Sequence, residues 1–177
     1  MSEAMMETTA ADEQHAEAVV QEEYDEMQSK YLIFLLDGQD FAMQIKNVVD
    51  IIKVQQITRV PNCPDFIRGI TNLRGRVIPI IDVRVRFGKM QEDYNERTCI
   101  IVVEVLGATV GLIIDRVTEV ITLEGDQISP PPQFQDGVEA RFVSGIGKTD
   151  SGIKLILDAH SVLDNGFNFS AGEDEEF

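Results

Sequence analysis

From Tyr31 onward the chain is written twice, and that duplication limits its fold more than any other feature of the sequence. Moving Tyr31–Ile52 forward by 69 positions, without gaps, lays it on Ile100–Ile121. Gly38 then falls on Gly107, Ile45 on Ile114, Val48 on Val117, Asp50 on Glu119 and Ile51-Ile52 on Val120-Ile121. Moving Phe66–Asp82 forward by 76 matches Phe66 with Phe142, Gly69-Ile70 with Gly145-Ile146 and Asp82 with Asp158. The Pro-rich stretch from Pro130 to Ala140 absorbs the difference between the two shifts as loop. A long unit repeated once is not a solenoid, which needs three or more short repeats. It reads as two similar small units.

Those units are β-structure. Tyr31–Leu36 and Phe41–Ile45 flank Asp37-Gly38, a strong hairpin dipeptide, and Gly69–Leu73 and Val77–Ile81 flank Arg74-Gly75. Thr98–Val105 and Thr109–Ile114 flank Leu106-Gly107, and Phe142–Ile146 and Ile153–Leu157 flank Thr149–Gly152. The duplication places Gly38 and Gly107, and likewise Gly75 and Ser151, at equivalent turns. A mainly-β fold of two small barrels follows, with only short helices between strands. A barrel of about 60 residues buries too little surface to stand alone. The runs Cys99–Val103 and Val77–Ile81 do not alternate, so both of their faces should be covered. Three buried regions are therefore expected, one inside each barrel and one between them. Pro79 cannot donate to a ladder, which predicts an edge strand or a bulge there. Asp82 and Asp158 each precede a short apolar stretch in the manner of helix N-caps.

The net charge of −16 is concentrated at the ends. Residues 1–30 hold nine acids against Lys30, a net of −8, and residues 164–177 hold five acids and no base. Residues 31–163 are nearly neutral, with 17 acids and 14 bases. Acidic, aromatic-poor ends of this kind stay solvated, so 1–29 and 166–177 are expected to be disordered tails. A short helix within Ala16–Gln28 is compatible with the composition. No apolar stretch is long enough to span a membrane and the start is not a secretory signal, which predicts a cytoplasmic protein without membrane insertion. Cys63 and Cys99 are far apart and His15 and His160 are isolated, which argues against a disulfide framework and a structural zinc site; no metal or cofactor is expected.

Catalysis finds no support. Ser144–Thr149 ends like a phosphate-binding loop, but Phe142 stands where its first glycine belongs and the segment runs into a turn and strand, not a helix. There is no G-x-S-x-G elbow and no H-E-x-x-H, and the clustered carboxylates lie in the tails. Arg68, Arg74, Arg76, Arg84, Arg86 and Lys89 make a basic stretch, open to readings as a solvated face, a surface for an acidic protein partner or, last, an SH3- or Sm-like nucleic-acid site. The overall acidity and the lack of interleaved aromatics count against nucleic acid.

Pro64–Arg84, reading PDFIRGITNLRGRVIPIIDVR, resembles the signature of the CheW family, and Gly111–Val117 is similar to the motif of that family's second half. The resemblance covers about Tyr31–Asn165. It implies a CheW-like domain over 30–165 made of two five-stranded SH3-like β-barrels, roughly 30–90 and 97–160 with strands free to be shared, packed around a hydrophobic groove. It implies a non-catalytic chemotaxis adaptor that binds the regulatory domain of the histidine kinase CheA and the cytoplasmic tip of chemoreceptors. The groove would take a receptor helix, and an exposed barrel face would pair with the kinase's related barrel. Val48, Asp50 and Gly69 match positions the family uses in partner contacts, with Asp50 standing where the family often has Glu. Arg74 matches the arginine of the N-L-R-G turn implicated in receptor coupling, and Cys99 and Val120 match groove-side positions. Gly69 also has a purely structural reading as a turn residue, and Val48 and Val120 one as core. The resemblance further implies recruitment to receptor arrays at the inner membrane. CheW-like domains also occur in CheA and CheV; a chain starting at Met1 without room for a kinase or receiver domain reads as the free-standing adaptor, with CheV-like coupling the alternative.

Overall fold

The computed structural model describes residues 7–131 and 138–164. Helix α1 (Glu7–Ser29) leads into strands β1 (Lys30–Leu36), β2 (Gln39–Gln44), β3 (Val48–Lys53), β4 (Ile67–Leu73) and β5 (Arg76–Asp82), then helix α2 (Val83–Arg86). Strands β6 (Cys99–Val105), β7 (Ala108–Ile114), β8 (Arg116–Thr122), β9 (Ile128–Ser129), β10 (Val143–Thr149) and β11 (Gly152–Leu157) follow, then helix α3 (Ala159–Leu163). Asp37-Gly38, Arg74-Gly75 and Leu106-Gly107 all have positive φ at both residues, the backbone that matches the twist of a two-residue hairpin. Asp150-Ser151 makes the fourth turn, closed by Thr149 opposite Gly152. Gly38 and Gly107, and Gly75 and Ser151, thus sit at equivalent turns as the duplication predicts.

The sheets do not follow the repeats one to one. One sheet runs β8-β1-β2-β11-β10-β9 and the other β3-β6-β7-β5-β4. Under the two sequence shifts β3 corresponds to β8, β6 to β1, β7 to β2, β5 to β11 and β4 to β10, so the two strand orders are the same. The repeats have exchanged their first hairpins: β1 and β2 leave the first repeat for the second, and β6 and β7 make the reverse move. Parallel pairs weld the exchange, Phe41 and Ala42 of β2 beside Leu155 and Ile156 of β11, and Gly111–Ile113 of β7 beside Ile80–Asp82 of β5. Bulges recur at the same places. Val49 in β3 and Thr118 in β8 are skipped by their partners, as are Arg68 in β4 and Ser144 in β10. The division into 30–90 and 97–160 therefore describes the repeats, while the sheets share strands reciprocally.

The expected three buried regions are present. Phe34, Leu36, Phe41 and Met43 of one sheet meet Ile81, Ile101, Val103, Leu112 and Ile114 of the other. Tyr31, Ile33, Ala42, Leu123 and Ile156 fill a second cluster, and Ile78, Ile80, Ile100, Val102 and Ile113 a third. Neighbours along a strand thus enter different cores, which explains the unbroken apolar runs. The expectation of two five-stranded barrels is met as two mixed sheets, of six strands counting the two-residue β9, and of five. No ladder joins the edge strands β3 and β4 among the described residues.

Asp82 caps α2, accepting from the Arg84 N–H at 3.0 Å, and Asp158 caps α3, accepting from the His160 N–H at 3.1 Å. The guanidinium of Arg86 lies between the repeat mates Phe66 and Phe142, 4.5 and 4.7 Å from their ring centres. It donates to the carbonyls of Val162 and Asp164 at 3.0 and 3.2 Å. Pro79 corrects one expectation. β5 is interior and carries no bulge at Pro79; its pairing with β7 begins only at Ile80, so no donor is missed there.

A second correction concerns the N-terminal region. Where charge predicts a disordered tail over 1–29 with room for a short helix within Ala16–Gln28, the structure has a 23-residue helix that includes that segment and is exposed from Ala10 to Met27. Its Ala, Glu and Gln residues are strong helix formers, and the segment exceeds the roughly 12–15 residues an isolated helix needs. Its end is tied down: Leu123 N–H donates to the Ser29 carbonyl at 2.9 Å, and Lys46 Nζ to Gln28 Oε1 at 3.0 Å. The expected acidic tail over 166–177 lies outside the described residues.

Gly69 and its repeat mate Gly145 offer a test of the register. At Gly69, with φ +142°, a Cβ would sit 2.1 Å from the Thr58 carbonyl oxygen, whereas at Gly145 the nearest atom would be 3.2 Å away. Gly69→Ala is expected to cost about 3 kcal/mol or more and Gly145→Ala about 1 kcal/mol, measured by urea unfolding. Equal costs would show that the Thr58 segment does not press on β4 as described.

Candidate partner-binding surface

Strand β3 is an edge strand, paired with β6 alone, and its burial alternates along its length. Val48 faces inward, partly buried against the core between the sheets and opposite Val103. Val49 and Ile51 are exposed on either side of Asp50. The Asp50 carboxylate accepts from the Ile51 N–H at 2.8 Å, occupying a backbone donor of this edge. Its other oxygen lies 2.9 Å from the Arg74 guanidinium, an ion pair out of line for a hydrogen bond.

That contact joins distant parts of the sheet. Asp50 is on β3 and Arg74 is at the turn after β4, at the opposite end of the strand order. The sheet therefore rolls until its two ends approach, and the ion pair spans the opening. Arg74 has φ +51°, held by the Gly75 N–H donating to Asn72 Oδ1 at 2.9 Å. Its side chain is 80% exposed against 24% for Asp50, so the pair is worth little to stability and much of the guanidinium is presented to solvent. Exposed Val77 stands on β5 just beyond the same turn.

The six residues singled out in the sequence do not form one cluster. Asp50 and Arg74 are in contact, and Val48 is on the same strand. Gly69 is buried at the β4 bulge, where Thr58 and Ile70 exchange backbone hydrogen bonds of 2.8 and 2.9 Å. Cys99 opens β6 opposite Lys53, and burial pushes its thiol pKa up, partly offset by a hydrogen bond from the Val117 backbone of the other sheet. Val120 is exposed on β8, the edge of the other sheet. The residues missed are Ile51, Val77 and Ile153. Ile51 is the repeat mate of Val120, and Val77 that of Ile153, and all four are exposed. The shifts of 69 and 76 that revealed the duplication would have found them.

The basic stretch is largely engaged inside the protein. Arg84 donates from Nε to Asp115 at 2.8 Å and lies 3.2 Å from both Asp37 and Glu92, while Lys89 pairs with Asp37 at 2.9 Å. The Asp115 hydrogen bond, ahead of the cost of burial, holds the Arg84 pKa above its ordinary value, and Lys89 holds the Asp37 carboxyl below its own. With Arg86 stacked in the interior, Arg74 facing Asp50, Arg76 donating to Thr109 at 3.4 Å and Arg68 beside the Tyr94 hydroxyl, all six bases face protein groups. Among the described residues no continuous basic face remains for a phosphate backbone to follow. No group of acids, histidines and cysteines suited to a metal occurs among the described residues.

Comparison with known proteins matches residues 30–166 to the CheW-like domain. The chemotaxis protein CheW of Klebsiella aerogenes is 36% identical over 76% of this chain and 81% of its own length. That of Helicobacter pylori is 32% identical over 88% of this chain and 93% of its own. The crystal structure of a scaffolding protein, TtCheW from Thermoanaerobacter tengcongensis, superimposes with a TM-score of 0.73 at 38% identity, covering 79% of this chain and 95% of that one.

Away from this surface, Tyr94 lines a polar cavity of about 250 Å³, its hydroxyl donating to Asp82 Oδ2 at 3.0 Å. Burial, with the neighbouring Asp82 carboxylate, pushes its pKa from 10.0 up to about 12. The folded state holds this proton more tightly than the unfolded chain, so the contribution is full below pH 10 and lost as pH rises towards 12. The wild type is expected to lose more unfolding free energy than Tyr94→Phe across that window. Equal losses, or a Tyr94 phenolate that titrates near 10 in the folded protein, would contradict its contact with Asp82.

Proposed function

Because the chain belongs to the CheW-like domain family, we propose that it is a chemotaxis adaptor coupling the histidine kinase CheA to the cytoplasmic tips of chemoreceptors. It acts by holding both partners, not by catalysing a reaction. The observation that carries this reading is the Asp50–Arg74 pair at the open side of a rolled sheet, with exposed Val49, Ile51 and Val77 around it. An exposed arginine beside apolar side chains is the composition of a binding hot spot. Val48 and Gly69 support that surface from behind, one by packing against the core and the other by shaping the β4 bulge. Cys99 and Val120 belong to a second contact along β8, where the family resemblance implies a receptor helix. Among the described residues no helix is long and apolar enough to cross a membrane, which fits recruitment to receptor arrays through protein contacts.

Arg74→Glu tests the reading at its most exposed point. The substitution removes no buried apolar area, so stability is expected to change by no more than about 0.5 kcal/mol. It also sets a carboxylate against Asp50 and against any acidic partner group, adding repulsion where there was attraction. Receptor-dependent kinase activation is expected to fall sharply, while binding to the isolated kinase regulatory domain falls less. Normal activation by the variant would remove Arg74 from the surface. Failure of the wild-type protein to bind both a receptor-tip fragment and the CheA regulatory domain would overturn the function itself.

A further inference from the structure

The CheW-like match begins at residue 30, so α1 lies outside the matched domain. The helix is 23 residues long, about 34 Å at the usual rise. It carries eight acids and no lysine or arginine. Ala16, Val20, Tyr24 and Met27 fall along one face at the spacing of successive helical turns. Val20, Tyr24 and Met27 are 64%, 59% and 50% exposed, so no described residue covers this stripe. Glu17 borders it on one side and Asp12 and Glu23 on the other, while Glu13 lies in line with it one turn before Ala16.

Charge decides what can cover it. A second copy would set acid against acid along the whole seam, and an anionic lipid surface would repel the helix. An apolar seam edged by carboxylates complements an apolar seam edged by ammonium or guanidinium groups, the arrangement by which paired helices choose partners. We propose that α1 is a docking helix whose Ala16–Val20–Tyr24–Met27 stripe packs against an amphipathic helix with basic residues flanking its apolar seam. Because Ser29 and Gln28 are hydrogen-bonded to Leu123 and Lys46, a partner on α1 is held beside the first sheet and not on a free tether. The inference stands on α1 alone and does not depend on the coupling function.

The test uses the full-length protein and a synthetic three-heptad peptide with Leu at a and d and Lys at e and g. A matching peptide with Glu at e and g serves as control. NMR titration is expected to shift amides between Ala16 and Met27 with the Lys peptide and not with the Glu peptide. Affinity should fall at least about tenfold in the combined Val20→Gln, Tyr24→Gln, Met27→Gln variant, which keeps the helix, as circular dichroism verifies, and every acid. Three results would each overturn the proposal: no binding of the Lys peptide, shifts confined to the sheets, or binding undiminished in the glutamine variant, which would reduce the attraction to charge alone.

Discussion

Every strand next to the shared core is divided between two buried regions, and the rest of the structure depends on that division. Ile101 and Val103 face the core between the sheets while Ile100 and Val102 face the core of their own sheet. Leu32 and Phe34 divide from Tyr31 and Ile33 in the same way. A sheet with two apolar faces cannot present either to water, so each sheet requires the other as its second covering layer. The exchange of hairpins turns that requirement into a covalent one. The chain crosses between sheets after β2 and again at Asp115, and neither sheet can be assembled from one repeat alone.

The crossings are fastened by charge. Arg84, at the end of one sheet, holds Asp37 at a hairpin tip of the other and Asp115 at the crossover itself. Arg86 is clasped between Phe66 and Phe142, which the duplication makes equivalent. These contacts leave the remaining sheet ends and hairpin tips as the exposed part of the molecule. That is where Asp50, Arg74 and the repeat-related apolar residues stand. An adaptor gains from this arrangement because its docking surfaces keep a fixed distance and angle when one of them is occupied.

Much of this was legible from local chemistry. Turn dipeptides located the hairpins, aspartates before short apolar stretches located the helix caps, and non-alternating runs announced strands buried on both faces. The exchange of hairpins was not legible, because the two shifts are identical whether β1 and β2 pair within their own repeat or with the other. Nor was the interior role of Arg84, whose partners Asp115 and Asp37 lie 31 and 47 residues away. Asp50 and Arg74 were each named on family resemblance, but their contact depends on how far the sheet rolls. Helix α1 was legible only in part: the composition allows a short helix within Ala16–Gln28, and the strong helix formers before it extend that helix back to Glu7 despite the acids.

Native-state hydrogen exchange tests the interlocked fold most directly, because it reports the opening of each strand separately. If the two sheets form one body, the slowest amides of β1, β2, β10 and β11 and those of β5, β6 and β7 open with one shared free energy. That value should equal the free energy of global unfolding, and both sets should shift together as denaturant is added. A sheet that keeps its protection while the other exchanges through a cheaper opening would contradict the account, since it would show that either sheet can persist without its partner.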